Sequence, residues 1–569
     1  MSEQFPLRYV LALISLVALI GCQAPPGSTQ SSTAAEAPRV AKHATAAIMG
    51  DPPHFEGRFN PSIGSVPGLD VIEEMLNAGT ANFTDQGQLR PQLAEAVPSI
   101  DNGLWKVFPD GRMETTWHLR SGVAWHDGRP LTSDDLLFTA GTGTDKDIPG
   151  FADAIYESVE SISAPDPLTL VATWKGPFIG ADTLFTRLHG LPLPKHILEQ
   201  PHRQDKAAFA NLPYWSDQFI GTGAYKLREL VRGSHVILDA NDQFVLGRPK
   251  IDVWEIKFTP DANTMITELL SGDANLTLGA RISIDQAYQV EQTWHDGTVL
   301  YSAQQWVAAM PQFIDPTPTS LLDVRMRRAL QYAVNRQAIA DDLLYGKVPI
   351  DDAPILPSDA DYKDVEAAIV RYPYDPQMAA RLFSELGFQR TGDGPLLDST
   401  GQRLTIESRT NNQLDTQVKA TAIMDDNWRR AGVDVSEVVY GQQAVADREY
   451  RHTRPAFETI GFPIYPETFA LYTTQQIPRP ETGWFGQNRT RYSNREYDSL
   501  VDLYFKTVPR PARMDIERQI VRAFTDQLVV LPLVYNTTHV AVGRQFSNVT
   551  NRGPNGTEGW NAEQWNVSS

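Results

Sequence analysis

From residue 113 the chain alternates, with Met113, Thr115, Trp117 and Leu119 set against Glu114, Thr116, His118 and Arg120. A period of two is the pattern of a half-buried strand. Ser121-Gly122 breaks the run, Val123-Ala124-Trp125 resumes it as a short strand, and Asp127-Gly128 predicts a second tight turn. Thr132 or Ser133 then caps a helix whose first turn carries Asp134 and Asp135 beside the positive end of its dipole. The stretch therefore predicts strand, turn, short strand, turn, capped helix.

Other elements follow from the same rules. Leu69, Ile72 and Leu76 share a helical face, and Gly79 ends that helix. Residues 225–227 and 236–238 read as strands, and Ile266, Leu269 and Leu270 mark a helix stopped at Ser271-Gly272-Asp273. Met326, Leu330 and Val334 share a face, Asn335 caps a second helix carrying Ile339 and Leu343, and Gly346 closes it. Asp375-Pro376 has the cap-then-proline order and places Leu382, Phe383 and Leu386 inward. A strand at 404–408, a helix with Ala420, Met424, Trp428 and Ala431 on one side, and a strand at 433–439 give a βαβ order and so an α/β lobe. A helix holding Ile516, Ile520 and Phe524, then an apolar strand at 528–535, complete the pattern.

At 569 residues the chain exceeds one hydrophobic core and calls for two or three packing units. Hydrophobic content of 41% and charged content of 21% fit a soluble globular protein and exclude a multi-span membrane protein. A formal charge of −19 argues against a nucleic-acid partner, because phosphates would be repelled over most of the surface. The single cysteine, Cys22, excludes an internal disulfide and a cysteine-based zinc site. It follows Arg8 and an apolar run at 10–20 that is too short to span a bilayer but suits a signal peptide. Leu19-Ile20-Gly21-Cys22 resembles the bacterial lipobox, which implies lipidation of Cys22 after cleavage. Residues 23–45, rich in Pro, Ser, Thr and Ala, then read as a flexible tether.

Catalytic motifs do not assemble. The sequence holds no GxSxG, HExxH or CxxC, and only 11 histidines. His126-Asp127 and His295-Asp296 each sit between an aromatic residue and a glycine, the composition of a turn and not of a metal site. Asp134-Asp135 and Asp341-Asp342 fall on predicted helices as solvated or dipole-facing acids. Gly221-Thr222-Gly223 is followed by strands, so it lacks the helix that a phosphate loop requires. The reading is a non-enzyme with no catalytic residue, no metal and no cofactor.

Several separated segments carry a family resemblance. Gln88-Leu-Arg-Pro-Gln-Leu-Ala-Glu, the stretch 113–139, Gly221-Thr-Gly-Ala-Tyr-Lys-Leu and DVRMRRALQYAVNRQAIADDLLYG from Asp323 resemble motifs of the family 5 extracellular solute-binding proteins. These are the dipeptide, oligopeptide and nickel receptors of ABC importers. The resemblance implies a two-lobed α/β periplasmic-binding-protein-like fold with an additional subdomain in the first lobe. The expected division is signal peptide 1–22, tether 23–45, lobe I 46–279, lobe II 280–529 and a return to lobe I at 530–569. It further implies a monomeric lipoprotein, periplasmic or at the cell surface, anchored to the membrane through its lipid. Its partners would be a peptide or small-molecule ligand and the importer's permease subunits, with no nucleic acid. A secreted hydrolase on the same scaffold and a ligand-sensing or chaperone lipoprotein are the alternatives.

For the site, the resemblance points to a cleft closed by hinge motion. Peptide-binding members present an aspartate from a GW-x-x-D-like segment to the ligand's ammonium group. Here that segment is Gly461-Phe-Pro-Ile-Tyr-Pro-Glu-Thr-Phe469, so the carboxylate position falls on Ile464 or Tyr465, with Glu467 a nearby acid. Candidate aromatic walls are Tyr225, Phe462, Tyr465 and Trp484, and candidate polar contacts are Asn411, Arg451, His452, Asn488 and Arg489. Asn411 directly follows a predicted strand, and Arg451-His452 resembles an Arg-His pair of oligopeptide receptors.

Overall fold

The computed structural model describes residues 41–59, 66–148, 150–279, 282–464 and 468–568. The signal peptide, Cys22 and most of the tether lie outside the described residues, as do Tyr465 and Glu467.

The first strand, β1 (His43–Met49), leads to helix α1 (Leu69–Leu76). The alternating stretch forms β3 (Met113–His118) in a small antiparallel sheet with β2 (Trp105–Val107), β4 (Val159–Asp166) and β5 (Thr169–Trp174), in the order β2-β3-β5-β4. Met113, Thr115 and Trp117 are buried and the intervening residues are not, as a period of two requires. Residues 123–125 depart from expectation and form no strand. Asp127-Gly128 turns the chain back at once, leaving one bridge, Ala124 to Pro130. Helix α2 (Ser133–Gly143) starts as predicted, with Thr132 and Asp135 in a reciprocal capping box.

Helix α1 ends at Leu76, short of Gly79, and the glycine pair at 221 and 223 accounts for it. That loop crosses the helix end, with Gly223 N donating to Leu76 O at 3.0 Å. A Cβ on Gly221 would stand 2.0 Å from Leu76 O and one on Gly223 2.3 Å from Met75 O, so only glycine admits this crossing. The segment that looked like a phosphate loop is a clamp on a helix terminus.

The loop feeds β6 (Tyr225–Val231), β7 (His235–Ala240) and β8 (Val253–Thr259), then α3 (Ala262–Ser271), β9 (Leu276–Thr277) and α4 (Ile284–Thr293). Asp261 caps α3, and Gly272, in the left-handed region at φ 82°, stops it. Beyond α4, β10 (Gly297–Pro311) runs 15 residues into the second lobe. There α5 (Val324–Tyr332), α6 (Arg336–Leu344) and α7 (Pro376–Glu385) start at Asp323, Asn335 and Asp375, whose side chains accept from first-turn amides. The expected βαβ unit is β11 (Thr405–Asn411), α8 (Asp415–Arg430) and β12 (Asp434–Tyr440), its strands parallel and in register from Thr405–Asp434 to Asn411–Tyr440. Strand β13 (Phe457–Pro463), helix α9 (Arg510–Asp526) and β14 (Leu531–Gly543) follow.

A single ten-stranded sheet threads both lobes in the order β12-β11-β13-β10-β14-β9-β1-β8-β7-β6. Strands β10 and β14, antiparallel from Gly297–Gly543 to Ala309–Leu531, form the passage between the lobes. Alternate residues of each strand feed opposite cores. In lobe II, Val307 and Ala309 face α5, α6 and α8, while Trp306, Ala308 and Met310 face α9. In lobe I, Ala44, Ala46 and Ile48 of β1 join the α1 core, while Ala47 joins Met265, Leu269, Ala287 and Val290 of α3 and α4. At roughly 1.5–3 kcal/mol for each large apolar side chain buried, these cores fix the strand faces.

Candidate functional site

A cavity of about 780 Å³ opens between the beginning of α1 in lobe I and the beginning of α8 in lobe II. This is within the range of small-molecule and short-peptide pockets. Its floor is the polar middle of β10 and β14, where Gln305 pairs with Asn536, Ala303 with Thr537 and Ser302 with Thr538. Asn536 Nδ2 donates to Gln305 Oε1 at 3.1 Å, and Gln304 Nε2 reaches the Arg552 carbonyl at 3.2 Å. His539 lies beside Thr537 at 2.7 Å and Ile282 O at 3.1 Å, and burial lowers its pKa to about 4, so it is neutral at pH 7.

The lobe I wall is charged. Gly68 opens α1 at φ 93°, where a Cβ would stand 2.5 Å from Leu278 O, and Asp70 and Glu73 then project from the first turn. Arg552 binds Asp70 at 2.5 Å and Glu558 at 2.9 Å. Burial raises the Asp70 carboxyl, but the Arg552 and Arg187 charges outweigh it and hold the group below its usual range. Glu73 is different: burial, then the neighbouring Glu56 charge, pushes its carboxyl well above the usual range. Glu73 Oε1 accepts from Gly57 N at 2.8 Å.

On the lobe II wall, Gln413, Asp415 and Thr416 face the cavity, and Asp285 of α4 flanks them. Lys419 spans Asp415 at 2.7 Å and Asp285 at 3.4 Å. Gln417 fixes the turn behind them by donating to both oxygens of Asn411 at 2.7 Å and accepting from Gly461 N at 2.9 Å.

Two strands crossing a cleft, two α/β lobes and a polar interlobe cavity are now joined by sequence comparison: residues 88–479, more than half of the chain, match bacterial extracellular solute-binding proteins, family 5 Middle. The chain belongs to that family. The oligopeptide-binding protein AppA of Bacillus subtilis is 23% identical over 504 residues, spanning 86% of each chain. Protein XP55 of Streptomyces lividans is 27% identical over 553 residues, 95% of this chain and 90% of that one. Among solved structures, AppA in complex with a nonapeptide superposes with a TM-score of 0.63 at 21% identity, covering 93% of this chain and 100% of that chain. NikZ of Campylobacter jejuni in complex with Ni(L-His) gives 0.66 at 20% identity, over 92% and 99%. These likenesses establish the two-lobed fold of a family of solute-binding receptors.

The residues singled out in the sequence are scattered through this family 5 chain, and none of those described lines the cavity. Asn411 comes nearest, at the carboxyl end of β11, where it holds Gln417 and accepts from Gln413 N at 3.0 Å. Arg451, His452, Phe462 and Arg489 are brought together, but around Glu458, which is 1% exposed. Arg489 lies 3.5 Å and Arg451 3.6 Å from that carboxylate, and Arg489 covers the Phe462 ring at 5.0 Å. His452 is buried among these arginines, and its pKa falls to about 3, chiefly from burial and then from Arg454. Tyr225, Trp484 and Asn488 stand apart. Tyr225 is fully buried in the lobe I core, Trp484 packs under Arg491 on a surface turn, and Asn488 ties three backbone carbonyls together. Of Ile464 and Tyr465, the two positions on which the expected carboxylate site falls, Ile464 is buried and apolar.

His126, the residue that hinted at hydrolysis, has both ring nitrogens committed to backbone. Its Nδ1 accepts from Gly221 N and its Nε2 donates to Gly223 O, each at 3.2 Å. Burial lowers its pKa to about 4, so it braces the glycine clamp as a neutral ring. Among the described residues no group of three or more His, Cys, Asp or Glu is placed to hold a metal ion, and no helix is long and apolar enough to cross a membrane.

What the sequence did not flag is the cavity itself. Its signal was a polar run in an otherwise apolar strand, Asn536-Thr-Thr-His539, beside Gln304-Gln305 in the partner strand.

Proposed function

We propose that this substrate-binding protein captures a peptide or other small solute in the interlobe cavity, leaves it chemically unaltered and presents it to the permease subunits of an ABC importer. The observation that carries the reading is the cavity floor, a polar interruption in two adjacent strands that would otherwise be continuous apolar core. Polar groups in such a place are held ready for a guest, since they cost stability unless something bonds to them. AppA was solved with a nonapeptide and NikZ with Ni(L-His), and both kinds of solute belong in the ligand panel.

The proposal extends to the chain's setting and division. The lipobox-like segment ending at Cys22 supports a monomeric lipoprotein, periplasmic or at the cell surface, held by its lipid and the tether 23–45. We assign lobe I to 46–279 and 530–569 and lobe II to 280–529, with α4 of that second segment packing back on the lobe I sheet and the bend distributed along β10 and β14. Of the sequence candidates, we assign Asn411 an indirect part, holding Gln413 and Gln417 in the turn that borders the cavity.

Intrinsic tryptophan fluorescence of unliganded protein, titrated with peptides, opines, sugars and metal–amino acid complexes, tests the reading. A saturable response to at least one class with no turnover supports it, and silence across the panel contradicts it.

A further inference from the structure

The ladder that forms the cavity floor is broken at one point. Ala303 pairs with Thr537 and Gln305 with Asn536, so Gln304 has no partner across β14 and is the extra residue of a β-bulge. Consecutive residues of a regular strand point to opposite faces, yet Gln304 and Gln305 both line the cavity. The bulge therefore brings two side-chain amides to the same side, next to the amide of Asn536.

The bonding of these amides is incomplete. Asn536 Nδ2 donates to Gln305 Oε1 at 3.1 Å, Gln304 Nε2 donates to the Arg552 carbonyl at 3.2 Å, and the three side chains make no other hydrogen bond among the described residues. The Gln305–Asn536 pair thus keeps one amide N–H group and one amide oxygen for the cavity. Turning both amides over exchanges the two groups and leaves the count the same. Thr538 Oγ1, also on the floor, is buried with no partner among the described residues. Such groups cost stability until a guest bonds to them.

Other means of recognition are already used. Arg552 holds Asp70, Lys419 holds Asp415 and Asp285, and Arg187 faces Asp70 and Glu73. His539 is neutral, with both ring nitrogens bonded. No Phe, Tyr or Trp stands among the described residues that line the cavity, so selection falls to the neutral hydrogen-bonding groups of the floor.

We propose that Gln305 and Asn536 form a subsite for a neutral amide of the guest, a peptide group or a carboxamide. The guest C=O accepts from the free N–H of the pair and the guest N–H donates to its free oxygen, with Gln304 and Thr538 bordering the contact. This rests on the capture reading above and adds the recognised group to it. An amide satisfies both free groups, whereas an ammonium or a carboxylate satisfies one and strands the other. Sites built on paired hydrogen bonds reject such partial matches steeply. The charged ends of a peptide are then not what holds it, and a peptide blocked at both termini is captured as readily as a free one.

The test uses the full mature chain, freed of copurifying solute, and a synthetic mixture of tri- to pentapeptides, each sequence supplied with free termini and also N-acetylated and C-amidated. Captured peptides are identified by mass spectrometry, and the favoured ones are titrated calorimetrically against the parent, Gln305→Glu and Gln305→Met. Glutamate keeps the bond from Asn536 but sets an acceptor where the free donor stood, and methionine fills the space without a polar atom. The expected result is capture of blocked and free forms to a similar extent, with affinity about tenfold or more lower in both variants. Their unliganded melting temperatures should stay close to the parent's. Capture confined to peptides with a free terminus, or affinity unchanged in both variants, overturns the subsite and leaves the capture reading intact. Capture of sugars or metal–amino acid complexes alone does the same. Capture of nothing by the unaltered chain overturns both.

Discussion

The Tyr345 ring lies flat on Tyr288, with centroids 4.0 Å apart and planes within 2°. Tyr288 belongs to α4, which packs on the lobe I sheet, and Tyr345 ends α6, whose Leu344 is in the lobe II core. The Tyr345 hydroxyl also donates to Asp285 at 2.7 Å, beside the cavity. The stack is therefore a side-chain tie across the bend. An offset aromatic pair contributes about 0.5–1.5 kcal/mol beyond its buried area. Tyr345→Ala is expected to widen the distribution of lobe separations in small-angle scattering of the unliganded protein while lowering global stability by only about 1 kcal/mol.

Asn488 is fully buried and its amide donates to the carbonyls of Tyr472, Thr473 and Tyr492 at 2.8–3.0 Å. Removing one donor group strands several acceptors at once, each costing about 1 kcal/mol or more. Asn488→Ala should lose roughly 2–4 kcal/mol in urea unfolding. Guest affinity, measured on the fraction that remains folded, should be unchanged.

Asp425 of α8 is buried with both carboxylate oxygens lacking a donor among the described residues, and burial raises its pKa to about 7. An acid raised above its unfolded value near 4 favours the fold when protonated, so its contribution is fully present below pH 4 and fades as pH rises through 7. Asp425→Asn should therefore stabilise the protein at pH 8 by roughly 2 kcal/mol and have little effect at pH 4, read as the midpoint of urea unfolding at the two pH values.

The glycine clamp gives a fourth prediction. Gly223→Ala places a methyl group 2.3 Å from the Met75 carbonyl, where neither backbone can yield cheaply. The variant should unfold about 1–3 °C below the parent, the shift that about 1–3 kcal/mol produces in a chain of this size.

Much of the fold was legible because it is local. The cap at Thr132, the stop at Gly272 and the βαβ order of residues 405–440 depend on neighbours within a few positions. The hinge strands were not, because Gln304-Gln305 and Asn536-Thr-Thr-His539 break the apolar pattern that announces a strand, so β14 was placed at 528–535 and β10 went unseen. The charged wall was out of reach for another reason. Asp70 and Arg552 meet 482 positions apart, and Glu56 and Glu73 belong to a loop and a helix whose mutual approach no spacing rule encodes. Tyr225 illustrates the converse: its segment reads as a strand, and the aromatic at the start of that strand fills the lobe I core.

Hydrogen exchange followed by mass spectrometry, with and without the captured peptide mixture, addresses the central claim most directly. The account predicts joint protection of three segments distant in sequence, 66–73 in lobe I, 413–417 in lobe II and 536–539 on the floor between them. Protection confined to a single lobe, or centred on the arginines around Glu458 with the floor unchanged, would contradict it.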